Sequence, residues 1–328
     1  MHGALRTRAG VAACLLTIAA VAAGCLAAFA GAASAATYPV IYNGLIGYGA
    51  HALTPDVPAA GSVYVDWRSS APAAPCHSAT HPYPVVLIPG TWLNQADDFA
   101  AVSPLLADSG YCVYTTNLGS AAGAILAQTG DIPTSASELA TVVNKVLAAT
   151  GAAKVDLVGH SQGGGLLPRW YMRFDGGASQ VSVLVGLAPS NHGTTVDGLQ
   201  TLSDELGAVG VLGDAFDVAG FPAASQQLVG SQVNATLGAG GDTVPGVTYT
   251  NIVSRNDEVV TPYTNQYLTA GPGATVHNIL LQNVCALDQG DHLSVVYDQI
   301  ALRLMLNALD PSTAKTPTCT PVAPLVGG

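Results

Sequence analysis

The sequence predicts an α/β fold, a doubly wound and mostly parallel sheet with helices on both faces. Three observations predict it. From residue 84 onward, short apolar β-prone runs alternate with segments of helical periodicity. The run Val155-Asp-Leu-Val158 stops at Gly159 and turns through Ser161 into Gly163, Gly164 and Gly165, as a buried parallel strand does when it breaks sharply into a helix. Residues 135–150 carry a clear amphipathic helix signal just ahead of that strand.

Residues 84–89, Pro-Val-Val-Leu-Ile-Pro, read as a buried strand that ends in Gly90-Thr91-Trp92-Leu93. Residues 99–109 suggest a helix and 111–116 a strand. In 135–150, Ser135 and Glu138 make a capping box, and Leu139, Val142, Val143, Val146 and Leu147 share one face. Residues 166–174 supply the helix after Ser161, in which Pro168 removes a backbone donor and is expected to bend the segment. Further strands are expected at 181–187, 248–254 and 275–284, and a last helix at 293–309. Residues 195–246 interrupt the alternation. There Leu199, Leu202, Leu206, Val209, Leu212 and Phe216 recur at helical spacing while Gly207, Gly210 and Gly213 weaken any helix, so the segment is expected to be either an ordinary cap packed on the core or a lid-like insertion. Residues 37–82 have few periodic apolar positions and are expected to form an extended wrap with little chemistry.

The N-terminus reads as an export signal over residues 1–36: Arg6 and Arg8 form a basic region, an apolar stretch follows, and Ala33-Ser34-Ala35 is a small-residue cleavage site. Ala23-Gly24-Cys25 resembles the end of a lipobox, so lipid anchoring at Cys25 is the alternative. Residues 37–328 then form one domain with room for a large core and no stable membrane span. Without the two leader arginines, 8 basic side chains face 21 acidic ones, a formal charge of −13 that disfavours nucleic acid and anionic membranes as partners. Only 9% of residues are charged and 49% are hydrophobic, a composition suited to a neutral, lipophilic partner. Outside the leader, Cys76, Cys112, Cys285 and Cys319 are an even set in an exported chain and favour disulfides, with three pairings open. The local one would close two loops of about 35 residues, each contributing on the order of 4 kcal/mol. Neither Cys-x-x-Cys nor His-Glu-x-x-His occurs, and no metal or cofactor is expected.

Gly159-His160-Ser161-Gln162-Gly163 is the layout of a nucleophile elbow. With 37 glycines in 328 residues the pentapeptide recurs by chance, so the weight falls on its strand–turn–helix setting. Any Cβ at Gly159 or Gly163 is expected to collide with neighbouring backbone. A serine hydroxyl needs a base to take its proton and a carboxylate to hold that base, in the chain order serine, acid, histidine. Asp257 follows the strand at 248–254, with Glu258 as the competing carboxylate. His192 precedes the acid and His277 sits within a strand, whereas His292 lies in the polar loop Gln289-Gly290-Asp291-His292 before the last helix and is the candidate base. Asp291 reads as a cap for that helix. The oxyanion donors are expected at Gln162 N–H and at Thr91, whose hydroxyl adds a third.

These residues resemble the secreted α/β-hydrolase lipases and esterases of actinobacterial type and of the Candida antarctica lipase B kind. The resemblance covers most of residues 84–320. It rests on Pro89-Gly90-Thr91, Ser161-Gln162-Gly163-Gly164, Ala188-Pro189 with Gly193-Thr194, Asp257-Glu258-Val259-Val260 and the stretch from Val284-Cys285 to His292. It implies a Ser161–Asp257–His292 triad, an oxyanion hole of Thr91 and Gln162, a substrate pocket lined by His160, Pro189 and Leu293, and Cys76–Cys112 and Cys285–Cys319 disulfides. His160 and Ser190 depart from the yeast lipase, which has tryptophan and aspartate there. The expected activity is hydrolysis of acylglycerols or related lipophilic esters through an acyl-enzyme, at a lipid–water interface. An acyltransferase or polyester depolymerase with the same triad is the first alternative, and a catalytically silent surface-binding domain is the second.

Overall fold

Seven parallel strands form one sheet in the order β1-β3-β2-β4-β5-β6-β7, in a computed structural model that describes residues 37–208 and 221–328. The strands are β1 (Ser62–Tyr64), β2 (Val85–Ile88), β3 (Val113–Thr115), β4 (Val155–His160), β5 (Val181–Leu187), β6 (Thr248–Val253) and β7 (Thr275–Leu280). The helices are α1 (Gly44–His51), α2 (Gln95–Asp98), α3 (Val102–Asp108), α4 (Ile132–Thr150), α5 (Ser161–Gly164), α6 (Leu166–Phe174), α7 (Val196–Ala208), α8 (Pro222–Gln226), α9 (Gln232–Ala239), α10 (Leu281–Val284) and α11 (Gln299–Leu309). The expected leader at 1–36, with Arg6, Arg8 and Cys25, and the insertion positions Val209, Gly210, Leu212, Gly213 and Phe216 lie outside the described residues.

Alternation along the central strands builds two apolar layers. Val85 and Leu87 of β2 join α3 and α11 through Leu106, Ile300, Leu302 and Met305, whereas Val86 and Ile88 join α4 and α6 through Leu139, Val142, Val143, Leu167 and Tyr171. Covering both faces is what lets β4 read as a continuous buried run from Val155 to His160. β7 closes one edge and keeps His277 exposed. Cys76–Cys112 and Cys285–Cys319 are disulfides, with Cα–Cα distances of 5.8 and 5.1 Å.

Several expectations are corrected. α4 begins at Ile132, not Ser135: Asp131 caps it by accepting from Thr134 N–H, and Pro133 occupies the first turn, where no donor is lost. Ser135 Oγ instead donates to the Asp131 carbonyl, and Glu138 accepts from Gly119 N–H. Pro168 bends nothing, because the chain already breaks at Gly165 (φ −123°, ψ −104°) and Pro168 lies in the first turn of α6. Residues 37–82 contain α1 and β1 rather than only an extended wrap. The last predicted helix divides into a 3₁₀ turn, Ser294–Tyr297, and α11, whose cap is Asp298, accepting from Ile300 N–H at 2.7 Å. Asp291 caps the 3₁₀ turn instead, through Ser294 N–H.

Candidate active site

Four strand ends converge on one edge of the sheet: Thr91 follows β2, Ser161 follows β4, Asp257 follows β6, and His292 follows β7 and α10. This is the carboxyl edge, where open α/β sheets place their ligands. The turn from β4 into α5 holds Ser161 at φ 52°, a left-handed conformation for a residue with a side chain. Its sharpness depends on the glycines. A Cβ on Gly159 would lie 1.8 Å from the Gly163 carbonyl oxygen, and one on Gly163 would lie 2.2 Å from that of Ile88. Both expected collisions are therefore with backbone, which cannot give way.

His292 and Asp257 meet directly. Asp257 Oδ2 accepts from His292 Nδ1 at 2.8 Å and from Gln266 Nε2 at 2.8 Å, while Oδ1 accepts from the N–H groups of Val259 and Val260. Every lone pair of the carboxylate that faces protein is used, so its orientation is fixed. His292 is fully buried, and its Nε2 has no hydrogen-bond partner among the described residues. Burial disfavours the imidazolium and is the largest single influence, but the charge and hydrogen bond of Asp257 together with the charges of Glu258 and Asp291 outweigh it, so the pKa of His292 is raised from 6.5.

The competing carboxylate points elsewhere. Oxygens of Glu258, Asp291 and Glu205 of α7 lie within 4.8 Å of one another. Burial, followed by the hydrogen bond with Glu258, drives the Glu205 carboxyl far up, so the pair shares a proton instead of repelling. α7 also touches the acid loop, because Gly198 sits so close to Val259 that a Cβ would meet its carbonyl oxygen at 2.1 Å.

Gln162 occupies the first turn of α5, where N–H groups have no acceptor four residues back. Thr91 is 1% exposed, and its Oγ1 accepts from Gln227 Nε2 at 2.7 Å. Pro189 and Leu293 are buried beside the site, and Tyr48 of α1 donates to the Leu293 carbonyl at 3.0 Å, so the N-terminal segment does touch this loop. His160, the other residue expected to line the pocket, is tied into a hydrogen-bonded chain. It is fully buried, with Nδ1 on Asp98 Oδ1 at 2.8 Å and Nε2 on the His292 carbonyl at 3.0 Å. Asp98 Oδ2 in turn accepts from Gly90 N–H at 2.7 Å, next to Thr91. His192 is remote in role, held by Asp242 and the Asn265 carbonyl.

Sequence reasoning missed Gln266, Gln227 and Asp98, which reach Asp257, Thr91 and His160 only through the folding of loops that carry no local motif. Asn94 and Asp97, by contrast, form a capping box at α2 that their spacing announces.

A family model for the alpha/beta hydrolase fold matches residues 83–238. A triacylglycerol lipase of Burkholderia plantarii is 38% identical over 116 residues, 33% of this chain and 30% of that protein. A triacylglycerol lipase of Pseudarthrobacter phenanthrenivorans is 39% identical over 97 residues, 28% of each. The chain thus spans under a third of the length of these curated relatives. Among solved structures, Aspergillus fumigatus lipase B superposes with a TM-score of 0.56 at 21% identity, over 75% of this chain and 56% of that one. With seven parallel strands, a glycine-framed serine turn at the end of the central strand and these likenesses, the chain has the α/β-hydrolase fold.

Proposed function

We propose that this chain is an exported serine carboxylic-ester hydrolase acting on acylglycerols or similar lipophilic esters. One observation carries the reading. His292 commits Nδ1 to Asp257 at 2.8 Å, and its buried Nε2 has no hydrogen-bond partner among the described residues, the state of a base awaiting a proton. His292 Nε2 takes the Ser161 proton as Oγ attacks the ester carbonyl, and Asp257 stabilises the imidazolium. The developing oxyanion accepts from Gln162 N–H, Thr91 N–H and the Thr91 hydroxyl. His292 then returns the proton to the departing alcohol, leaving an acyl group on Ser161. Water, activated by the same imidazole, releases the acid.

The lipophilic substrate class is supported by the sparse charge of the chain and by its likeness to two triacylglycerol lipases. Export is supported by the leader at 1–36 and two disulfides, and among the described residues no helix is long and apolar enough to cross a membrane. Ser161 is only 3% exposed, so neighbouring chain must shift for an ester to reach it.

The test is Ser161→Ala, which is expected to lower turnover by about six orders of magnitude with an unchanged denaturation curve. A fluorophosphonate should label the parent protein at Ser161 and leave the variant unlabelled. A variant retaining a tenth of the activity would refute the assignment.

A further inference from the structure

Gln227, in the insertion, reaches into the loop after β2. It is 2% exposed and sits at the C-terminal cap of α8, its N–H donating to the Ala223 and Ala224 carbonyls and its own carbonyl accepting from Thr194 N–H at 2.8 Å. The backbone is therefore fixed before the side chain makes any contact. Three partners then surround the amide: Nε2 donates to Thr91 Oγ1 at 2.7 Å and to the Ala223 carbonyl at 3.3 Å, and Oε1 accepts from Ser190 Oγ at 3.1 Å.

The polarity of this chain of bonds follows from its fixed member. A main-chain carbonyl only accepts, so the NH₂ end of the amide must face Ala223, and the same nitrogen faces Thr91. Thr91 Oγ1 is consequently an acceptor toward Gln227, and its own proton is directed elsewhere. Ser190, at the other end, donates to Oε1 and keeps the amide from turning over.

We propose that Gln227 is a positioning residue that presets the Thr91 hydroxyl to donate to the ester oxyanion. The inference rests on the ester-hydrolase reading above and adds to it which residue orders the hydroxyl donor. A hydroxyl left free to rotate must reorganise as charge develops on the substrate oxygen, whereas one with its lone pair already occupied presents its proton from the start. The residue thus acts in the transition state and leaves ester binding nearly untouched.

Steady-state hydrolysis of p-nitrophenyl butyrate tests this with Gln227→Glu, Gln227→Met, Thr91→Val and the double variant Gln227→Glu/Thr91→Val, each checked by urea denaturation. A carboxylate at 227 only accepts, so it draws the Thr91 proton toward itself and away from the oxyanion. Gln227→Glu is expected to lower kcat on the order of a hundredfold with KM changed by less than about twofold. Thr91→Val should fall to a similar level, and the double variant should lie within about twofold of Thr91→Val alone, because both changes remove one donor. Wild-type kcat in Gln227→Glu, or losses that multiply in the double variant, would overturn the proposal. If Gln227→Glu does not fold, Gln227→Met carries the same cycle, with about a tenfold loss of kcat expected and none overturning it. Ser161→Ala separates the two levels: an active Ser161→Ala removes the hydrolase reading, whereas an inactive one beside an unimpaired Gln227→Glu removes only the role of Gln227.

Discussion

His160 donates from Nε2 to the main-chain carbonyl of His292 at 3.0 Å, and Asp98 holds its other nitrogen at 2.8 Å. A carbonyl only accepts, so the proton on Nε2 is assigned without ambiguity. The residue just before the elbow serine thereby anchors the backbone of the candidate base. His160→Phe keeps an aromatic ring but loses both bonds, and is expected to lower kcat/KM on the order of a hundredfold through misplacement of His292. Ester hydrolysis assays on a variant with parent-like near-UV circular dichroism check it, and unaltered kcat/KM would show that His292 needs no such anchor.

The rate should respond to pH through His292. Only its neutral form can accept the Ser161 proton, so activity falls as pH drops through its pKa. Because Asp257, Glu258 and Asp291 together outweigh burial, that acid limb is expected above pH 6.5. Glu258→Gln removes one of the raising carboxylates and should move the limb to lower pH. A kcat/KM profile from pH 5 to 9 reads both, and a Glu258→Gln limb shifted upward would contradict the electrostatic account.

Stability should depend on pH through Asp156 of β4, which is 5% exposed and whose pKa burial raises to about 7 against a bond from Val183 N–H and the nearby Lys154. The folded state keeps this proton at pH values where the unfolded chain, near 3.8, has released it. Stability is therefore greatest below about pH 4 for this group and declines as pH rises to about 7, by roughly 2–4 kcal/mol. Urea midpoints for Asp156→Asn are expected to lose much of that slope while the parent retains it.

Gly159→Ala tests the elbow packing. With a Cβ 1.8 Å from the Gly163 carbonyl oxygen, the strand and α5 must separate, and a loss of more than about 3 kcal/mol is expected. Chemical denaturation measures it. A change under about 1 kcal/mol would mean that the turn can relax.

Removing the second disulfide by paired Cys285→Ser and Cys319→Ser changes is expected to cost about 2–4 kcal/mol, and a thermal melt compared with the parent reads it. An unchanged melting temperature would mean that the 34-residue separation it spans is held by other contacts.

What could be read in advance follows from locality. Buried parallel strands announce themselves by continuous apolar runs, which is why β2, β4, β5 and β6 stand near their expected places. Ser161, Asp257 and His292 stand out as candidates because each lies just after a strand or just ahead of the last helical segment. Choosing between Asp257 and Glu258 is another matter, since both lie in one loop and only the meeting with His292 or with Glu205 distinguishes them. The start of α4 is hidden by a plausible Ser135–Glu138 spacing that the cap at Asp131 and the proline at 133 pre-empt. α1 escaped notice because Gly-Leu-Ile-Gly-Tyr-Gly-Ala-His has no helical periodicity and is held by tertiary contacts such as those of Tyr48. Gln227 carries no local signal at all: its importance exists only once residues 91 and 190 are brought to it.

The backbone of Gly44 donates to the carbonyl of Val326, Tyr48 holds the Leu293 carbonyl, and Leu325 N–H holds Asp291. The seat of His292 is thus assembled from segments far apart in the chain. A protein trimmed of residues 325 and 326 keeps the serine turn but loses part of the mount for its imidazole. Proteolytic nicking in either outlying segment is therefore expected to loosen the candidate base while the elbow that holds Ser161 stays whole.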